Sequence, residues 1–206
     1  HRITGQANSA EQTIIATRTN DDAIYKETGR DLIEIGDDLI YYLNYSNHTE
    51  NRNPIQLCDI LPANGDGRES SFHGGYRVKE IYLDFTREAD RQAFLENNAG
   101  QLKYRKGGIS AKDLTQDERK LILNTIDKSK WFDLASSYEP SKYTENGVTM
   151  YRLTCRAGED GRWAKGEELI HYADGSGTID AIYGFVPQVG GKGNFRMGLV
   201  FTPFTK

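Results

Sequence analysis

The sequence predicts a mainly β fold, a sandwich of antiparallel sheets with a short helical insertion between strands. Two observations support this prediction. Apolar and polar residues alternate in several short runs, most clearly at residues 39–45, which is the pattern of a strand with one buried and one wet face. The 206 residues also include 12 tyrosines and 21 glycines, which suit sheets joined by many turns better than a helical bundle.

The chain is long enough to bury one large core, and we expect one domain rather than two. Residues 1–10 are polar and are predicted to be a flexible N-terminal segment. Residues 11–206 are predicted to form the sandwich. Its first strand is expected at residues 12–19, where β-branched residues are frequent, and a polar connection is expected at residues 20–31.

The remaining strands are predicted wherever alternation returns along the chain. A polar turn separates the first two of them, because its residues bond their own backbone or fix its dihedral angles. These strands are expected at residues 39–45, before the segment 59–62, and at residues 78–85, 148–155, 168–172, 178–186 and 195–202.

A helical insertion is predicted around residues 86–135, between strands of the sandwich. Two short helices are expected in it, at residues 86–98 and 114–127. The second has an apolar stripe at helical spacing, and we expect this stripe to pack on the sheet. The stripe consists of Leu121, Ile122 and Ile126.

Charge and hydropathy exclude two classes of partner. The net charge is -4, from 26 basic and 30 acidic residues, so the chain lacks the basic stripe that is typical of nucleic-acid binding. No apolar run reaches the roughly 18 residues of a membrane span. Because the sequence opens on His1 and shows no signal peptide, we expect a mature form or a piece of a longer protein.

A resemblance to a known family begins in the first strong strand pair. Gly36 and Asp37 precede the alternating strand, a polar turn follows, and the next strand ends in the pattern D-x-L-P at residues 59–62. Three further segments then follow in order: GVTMYRLTC, a Trp-x-x-Gly-Glu turn at 163–167 and a closing FVPQVGGKGNFRMGLVFTP. Over residues 11–204 the chain resembles immunoglobulin-like repeats of Gram-positive surface proteins, filed as domain of unknown function eleven. These repeats are similar to the type A domains of collagen-binding adhesins and pilins.

This resemblance implies an immunoglobulin-like or adhesin β-sandwich without enzymatic activity and without a cofactor. The implied function is a structural or adhesive module of a bacterial cell-surface or secreted protein, which acts as a spacer or presents a binding face. The implied partners are other domains of the same surface protein and a host protein, matrix protein or glycan. The implied location is extracellular, with attachment to the cell wall through parts outside this sequence.

The resemblance also implies an intramolecular isopeptide bond between a lysine and an asparagine beside a buried acid. Asp59 matches the acid of the D-x-L-P strand, and Asn194 matches the asparagine before the closing strand. The basic residue of the first strand is Arg18, which does not deprotonate, so Lys26 is the candidate nucleophile. The alternative is that Asp59 only bonds backbone near the strand end.

The alternative function is a carbohydrate-binding β-sandwich module. Exposed aromatic rings form stacking platforms for sugars, and Trp131 and Trp163, together with Tyr82 and Tyr172, are the candidates. Core packing of both tryptophans is the other interpretation. No pair of carboxylates stands out for glycoside hydrolysis, and neither HExxH nor Gly-x-Ser-x-Gly occurs in the chain, so an enzyme is the third choice.

Two further sets of residues suggest a metal site and a disulfide. Oxygen-bearing side chains around glycines make Asn64, Asp66 and Glu69 weak calcium candidates, with a plain turn as the alternative, and no other metal site is expected. Cys58 and Cys155 lie in strand-like runs, where they would form a cross-sheet disulfide or remain two separate buried thiols.

Overall fold

The computed structural model describes ten segments of the chain and confirms a mainly β fold of antiparallel sheets. The described residues are 2–4, 14–16, 23–28, 32–34, 38–46, 52–65, 73–96, 101–105, 131–190 and 194–204. Their strands are β1 (Arg2–Thr4), β2 (Ile14–Ala16), β3 (Ala23–Thr28), β4 (Leu32–Glu34), β5 (Leu39–Ser46), β6 (Arg52–Ile60), β7 (Gly75–Phe85), β8 (Gln101–Arg105), β9 (Trp131–Asp133), β10 (Glu139–Glu145), β11 (Val148–Arg156), β12 (Ile170–Tyr172), β13 (Ala181–Gly190) and β14 (Asn194–Phe204).

Two sheets account for most of these strands. The larger sheet has the order β10-β11-β7-β14-β5-β3, with β12 paired to the start of β7, and the smaller sheet has the order β2-β6-β13-β8-β9. A separate pair joins β1 to β4. Because β5 and β6 belong to different sheets, the segment that was predicted as a turn joins the two layers of the sandwich.

Alternation of residue types decides which face of the larger sheet is buried. In β5, Leu43 and Tyr45 are fully buried while Tyr42 and Asn44, which alternate with them, are half-buried, as predicted for this strand. Buried apolar residues of both sheets form one core cluster. The sheets approach closely at Gly184 of β13, where an added Cβ would lie 3.6 Å from Sδ of Met197 on β14.

One short helix in the described segments packs against strands of both sheets. The helix α1 (Glu88–Leu95) follows β7 and contacts β13, β11 and β7. Its Phe94 is buried, with ring centroids 6.2 Å from Phe85 and 5.3 Å from Tyr138. This helix confirms the first of the two predicted helices. The second lies outside the described residues, and the predicted insertion also contributes β8 and β9 to the smaller sheet.

The buried histidine of β12 ties the two sheets together at one end. His171 Nδ1 lies 2.9 Å from the carbonyl oxygen of Ile179, and its Nε2 lies 2.8 Å from the carbonyl oxygen of Pro62. The Leu61 amide also donates to the Asp180 carbonyl at 2.9 Å. The D-x-L-P segment at the end of β6 is thus an anchor point between the layers.

One sequence prediction about secondary structure was wrong, and one strand was missed. The polar segment at 20–31 contains the edge strand β3, which pairs with β5. The chain also forms β10, whose sequence EPSKYTE has low β propensity and gave no strand signal. It pairs with β11 through a two-residue turn in which Asn146 and Gly147 both have positive φ. No helix in the described segments has the length and apolar character of a membrane span.

Candidate functional site

The outward face of the larger sheet carries a cluster of aromatic and charged side chains on five of its strands. Its centre is one row of cross-strand partners, in which Arg196 of β14 and Arg152 of β11 flank Asp84 of β7 on either side. We call this cluster the tyrosine–arginine face; it consists of Tyr42, Tyr82, Asp84, Tyr143, Arg152 and Arg196.

Asp84 is the buried anion at the centre of this face. Its side chain is fully buried and accepts two hydrogen bonds from Arg152, at 2.7 Å from Nε to Oδ1 and 3.0 Å from Nη2 to Oδ2. Arg196 donates to Oδ2 at 3.3 Å and the Tyr143 hydroxyl donates to it at 2.6 Å. A buried carboxylate with this set of donors is fixed in position and charge-compensated.

The two arginines hold their charge strongly. Burial by itself would lower the pKa of Arg152. The hydrogen bonds to Asp84 and the negative charge of Asp84 outweigh this effect, so the pKa of Arg152 is raised above its ordinary value. The pKa of Arg196 is also raised, against burial, by Tyr143, Asp84 and Glu145. Glu145 lies 3.2 Å from Arg196 Nη2 at the edge of the face. The guanidinium groups are therefore permanent cations in a fixed geometry.

Tyrosine rings stack on both guanidinium groups. Arg152 lies between two rings, with its Cζ 4.0 Å from the Tyr82 centroid and 4.5 Å from the Tyr143 centroid. Arg196 stacks in the same way on Tyr42, at 4.3 Å. These are cation–π distances, and they align the planar groups across the sheet. Burial, followed by the hydrogen bond to Asp84, raises the pKa of Tyr143 to about 12, so its hydroxyl stays a donor.

A glycine lets two of the tyrosine rings approach each other. Gly198 of β14 is the cross-strand partner of both Tyr42 and Tyr82. A Cβ at this position would lie 3.0 Å from a ring carbon of each tyrosine. A side chain at this position would therefore need both rings to shift by a few tenths of an ångström.

This arrangement suits recognition of a polar ligand better than catalysis. Asp84 has no exposed surface, so it is not placed to exchange protons with a substrate. None of the hydrogen bonds described above uses the Nη1 nitrogen of either arginine. The face thus offers guanidinium donors and half-exposed aromatic rings on a rigid sheet.

Both tryptophans are core residues, as the core-packing interpretation predicted, so they do not form the sugar-stacking platform. Trp131 is only 6% exposed and packs edge-on against Tyr183. Trp163 is 4% exposed, and its Nε1 donates to the Val78 carbonyl at 3.2 Å. A buried ring has no face to offer a sugar. Of the other candidates, Tyr82 belongs to the tyrosine–arginine face, and the ring of Tyr172 packs against Phe204 at a centroid distance of 5.9 Å.

The three residues proposed for an isopeptide bond lie on strands of different sheets. Asp59 is buried on β6 of the smaller sheet, whereas Lys26 is on β3 and Asn194 is on β14 of the larger sheet. Lys26 pairs with Leu43, and Asn194 pairs with Ser46. Strand geometry puts the Cα atoms of Lys26 and Asn194 about 14 Å apart. Their side chains lie outside the described part, and the bond stays a prediction that intact mass tests as loss of one ammonia.

The metal and disulfide candidates are only partly described. Asp66 and Glu69 lie outside the described residues. The backbone N–H of Asn64 donates to the carbonyl oxygen of Ala173, in the turn after β12, at 2.8 Å. Within the described segments no group of histidine, cysteine or acidic residues is arranged to hold a metal. Cys155 is a buried free thiol, and the side chain of Cys58 is not described. The structure therefore supports a separate buried thiol at Cys155.

Two features of the sequence, strand alternation and an Asn-Gly hairpin turn, indicate the position of this face. Tyr42, Tyr82 and Asp84 lie on the polar phase of their alternating strands, which predicts an outward position. The Asn146-Gly147 pair is a strong hairpin signal and would have placed Tyr143 beside β11.

No family model matches this chain, and no curated protein sequence matches it.

Proposed function

We propose that this chain is a non-enzymatic adhesive module of a bacterial cell-surface or secreted protein, and that it binds its partner with the tyrosine–arginine face. The observation that carries the proposal is the buried Asp84, which fixes two arginines and their stacked tyrosines on one face of the larger sheet. Interfaces are enriched in tyrosine and arginine, and preorganised side chains lower the entropic cost of binding.

The rest of the sheet supports a module that acts through a rigid surface. Five strands contribute side chains to the face, so its geometry is set by the hydrogen-bonded ladder rather than by loops. The opposite face of the same sheet is filled by the core. The resemblance of the sequence to repeats of bacterial surface proteins is the support for the proposed location.

Binding to printed arrays of oligosaccharides and extracellular matrix proteins tests the proposal. The test variant is Y42L/Y82L, which removes two rings of the face and leaves smaller apolar side chains. The matched control is Y151L, because Tyr151 is a half-buried tyrosine of β11 that contacts Arg91 of the helix instead. Thermal unfolding of all three proteins shows whether the variants remain folded.

We expect saturable binding of the native chain to at least one array component. Y42L/Y82L should weaken it about tenfold or more, since each hot-spot ring contributes upwards of ~1 kcal/mol and 1.4 kcal/mol is a factor of ten. Y151L should bind as the native chain does. Absence of saturable binding, or equal binding by Y42L/Y82L and Y151L, would contradict the proposal.

A further inference from the structure

A pocket of about 380 Å³ opens where β7, β11 and the loop after β11 meet. This volume lies within the usual range for small-molecule sites. The base of the pocket lies at Val78 and Leu169, which are only 2% and 1% exposed, and its rim is polar. The charged residues of the rim are Arg77, Lys79, Glu80, Arg156, Glu159 and Glu168.

A β-bulge in β7 creates the polar rim. The register between β7 and β14 shifts between the pairs Val200–Glu80 and Phe201–Val78, so Lys79 is the extra residue. Val78 faces the core, whereas Lys79 is exposed and Glu80 is half-buried. The Lys79 carbonyl accepts a hydrogen bond of 3.2 Å from the Ala157 amide. Bulges of this kind re-aim side chains and are frequent next to binding sites.

The rim balances its charges and therefore does not favour a strongly charged ligand. It contains three basic and three acidic side chains. Arg156 lies between Glu80, at 3.4 Å, and Glu139, at 3.0 Å. Lys79 is bound to Asp38 at 2.8 Å, and this hydrogen bond raises its pKa. A ligand with a full net charge would meet repulsion from one half of the rim.

The same rim offers donors and acceptors to a neutral polar ligand. Arg77 is 3.6 Å from Glu168, which is longer than a hydrogen bond, so its donors remain available. Its guanidinium is held in place by stacking on Phe204, at 4.6 Å. Glu159 is exposed and has no partner among the described residues. Hydroxyl groups both donate and accept, and they match such a mixed rim.

We propose that this pocket binds one sugar unit of a neutral glycan whose chain continues over the tyrosine–arginine face. The hydroxyl groups of the sugar would bind the charged rim, which supplies both donors and acceptors. Glu80 connects the two regions, because it accepts a hydrogen bond from the Tyr82 hydroxyl and also pairs with Arg156. The inference rests on the proposed function and names the ligand class of that same surface.

Variants of the rim test this inference independently of the face. R77Q and E159Q each remove one charge at the pocket, and K142Q is the control, since Lys142 is an exposed cation of β10 away from the pocket. The probe is an array of neutral oligosaccharides of increasing length, followed by titration calorimetry with the strongest binder. We expect R77Q to bind about tenfold more weakly, from the loss of ~1.5 kcal/mol for a charged hydrogen bond, and K142Q to be unchanged.

The outcomes separate this inference from the proposed function. Weaker binding in both R77Q and Y42L/Y82L, with native binding in K142Q, supports the inference. If Y42L/Y82L loses binding while R77Q and E159Q retain it, or if only matrix proteins bind, the pocket inference is refuted and the adhesive face stands. If neither array gives saturable binding, both are refuted.

Discussion

Replacing Asp84 by asparagine should destabilise the fold strongly, although asparagine has almost the same size. The asparagine oxygen still accepts from one donor, but its amide group faces the guanidinium or hydroxyl donors of the remaining partners. Arg152 and Arg196 then lose their common counter-ion. Their side chains are only 20% and 14% exposed, so water does not replace the lost interactions fully.

The magnitude follows from the burial of these groups. Removing one partner of a buried ion pair costs ~3–5 kcal/mol, and the residual exposure of the arginines places D84N at the lower end, about 3 kcal/mol. For a chain of this length, 1 kcal/mol shifts the melting temperature by ~2–4 °C. We therefore expect D84N to melt about 6–12 °C below the native chain.

Urea unfolding with a double-mutant cycle is the assay. The free energy of unfolding is measured for the native chain, D84N, R152Q and D84N/R152Q, and we expect a coupling energy of at least ~1 kcal/mol between the two positions. D133N is the control, because Asp133 is 71% exposed and pairs with Lys103 at 3.1 Å. Its loss should stay below ~1 kcal/mol. A loss below ~1 kcal/mol for D84N itself would refute the reasoning.

Three further predictions concern other parts of the fold. H171A should lower the free energy of unfolding by ~1–3 kcal/mol, because a buried carbonyl group loses its hydrogen-bond donor; a urea-measured loss below ~1 kcal/mol would contradict this. G198A should cost ~1–3 kcal/mol and change the near-UV circular dichroism of the tyrosines, since the new methyl group displaces both flanking rings; an unchanged spectrum argues against the contact. Burial raises the pKa of Cys155 from 9.0 to about 12, so its contribution to stability is present below pH 9 and is lost as the pH rises towards 12. Urea unfolding of C155A should show a shallower decline over that interval, by up to ~1.4 kcal/mol per pH unit, and equal slopes would count against it.

The sequence predicted the class of fold because strand alternation is a local property. In both strands the alternation separates Tyr42 and Tyr82 from the buried neighbours, and both are half-buried in the structure. The neighbours of a strand are not local. Asp84 and Arg196 are 112 positions apart, and only the register between β7 and β14 brings them into contact.

The errors have physical causes of the same kind. Trp131 and Trp163 were candidates for an exposed platform because their residue type serves both cores and binding sites, and only the packed structure distinguishes the two. The strand β10 has few residues with β propensity and exists because β11 offers a partner across the turn at Asn146. Tertiary pairing overrode the weak local preference there.

Amide chemical-shift mapping shows residue by residue whether the tyrosine–arginine face is the binding surface. The labelled chain is titrated with the component that binds best on the arrays, and the shift of each assigned amide is measured. We expect the largest shifts on β5, β14, β7 and β11 around Asp84 and Gly198, and we expect Y42L/Y82L to need about tenfold more ligand to reach them. Largest shifts on the smaller sheet, with β14 and β7 unchanged, would contradict it.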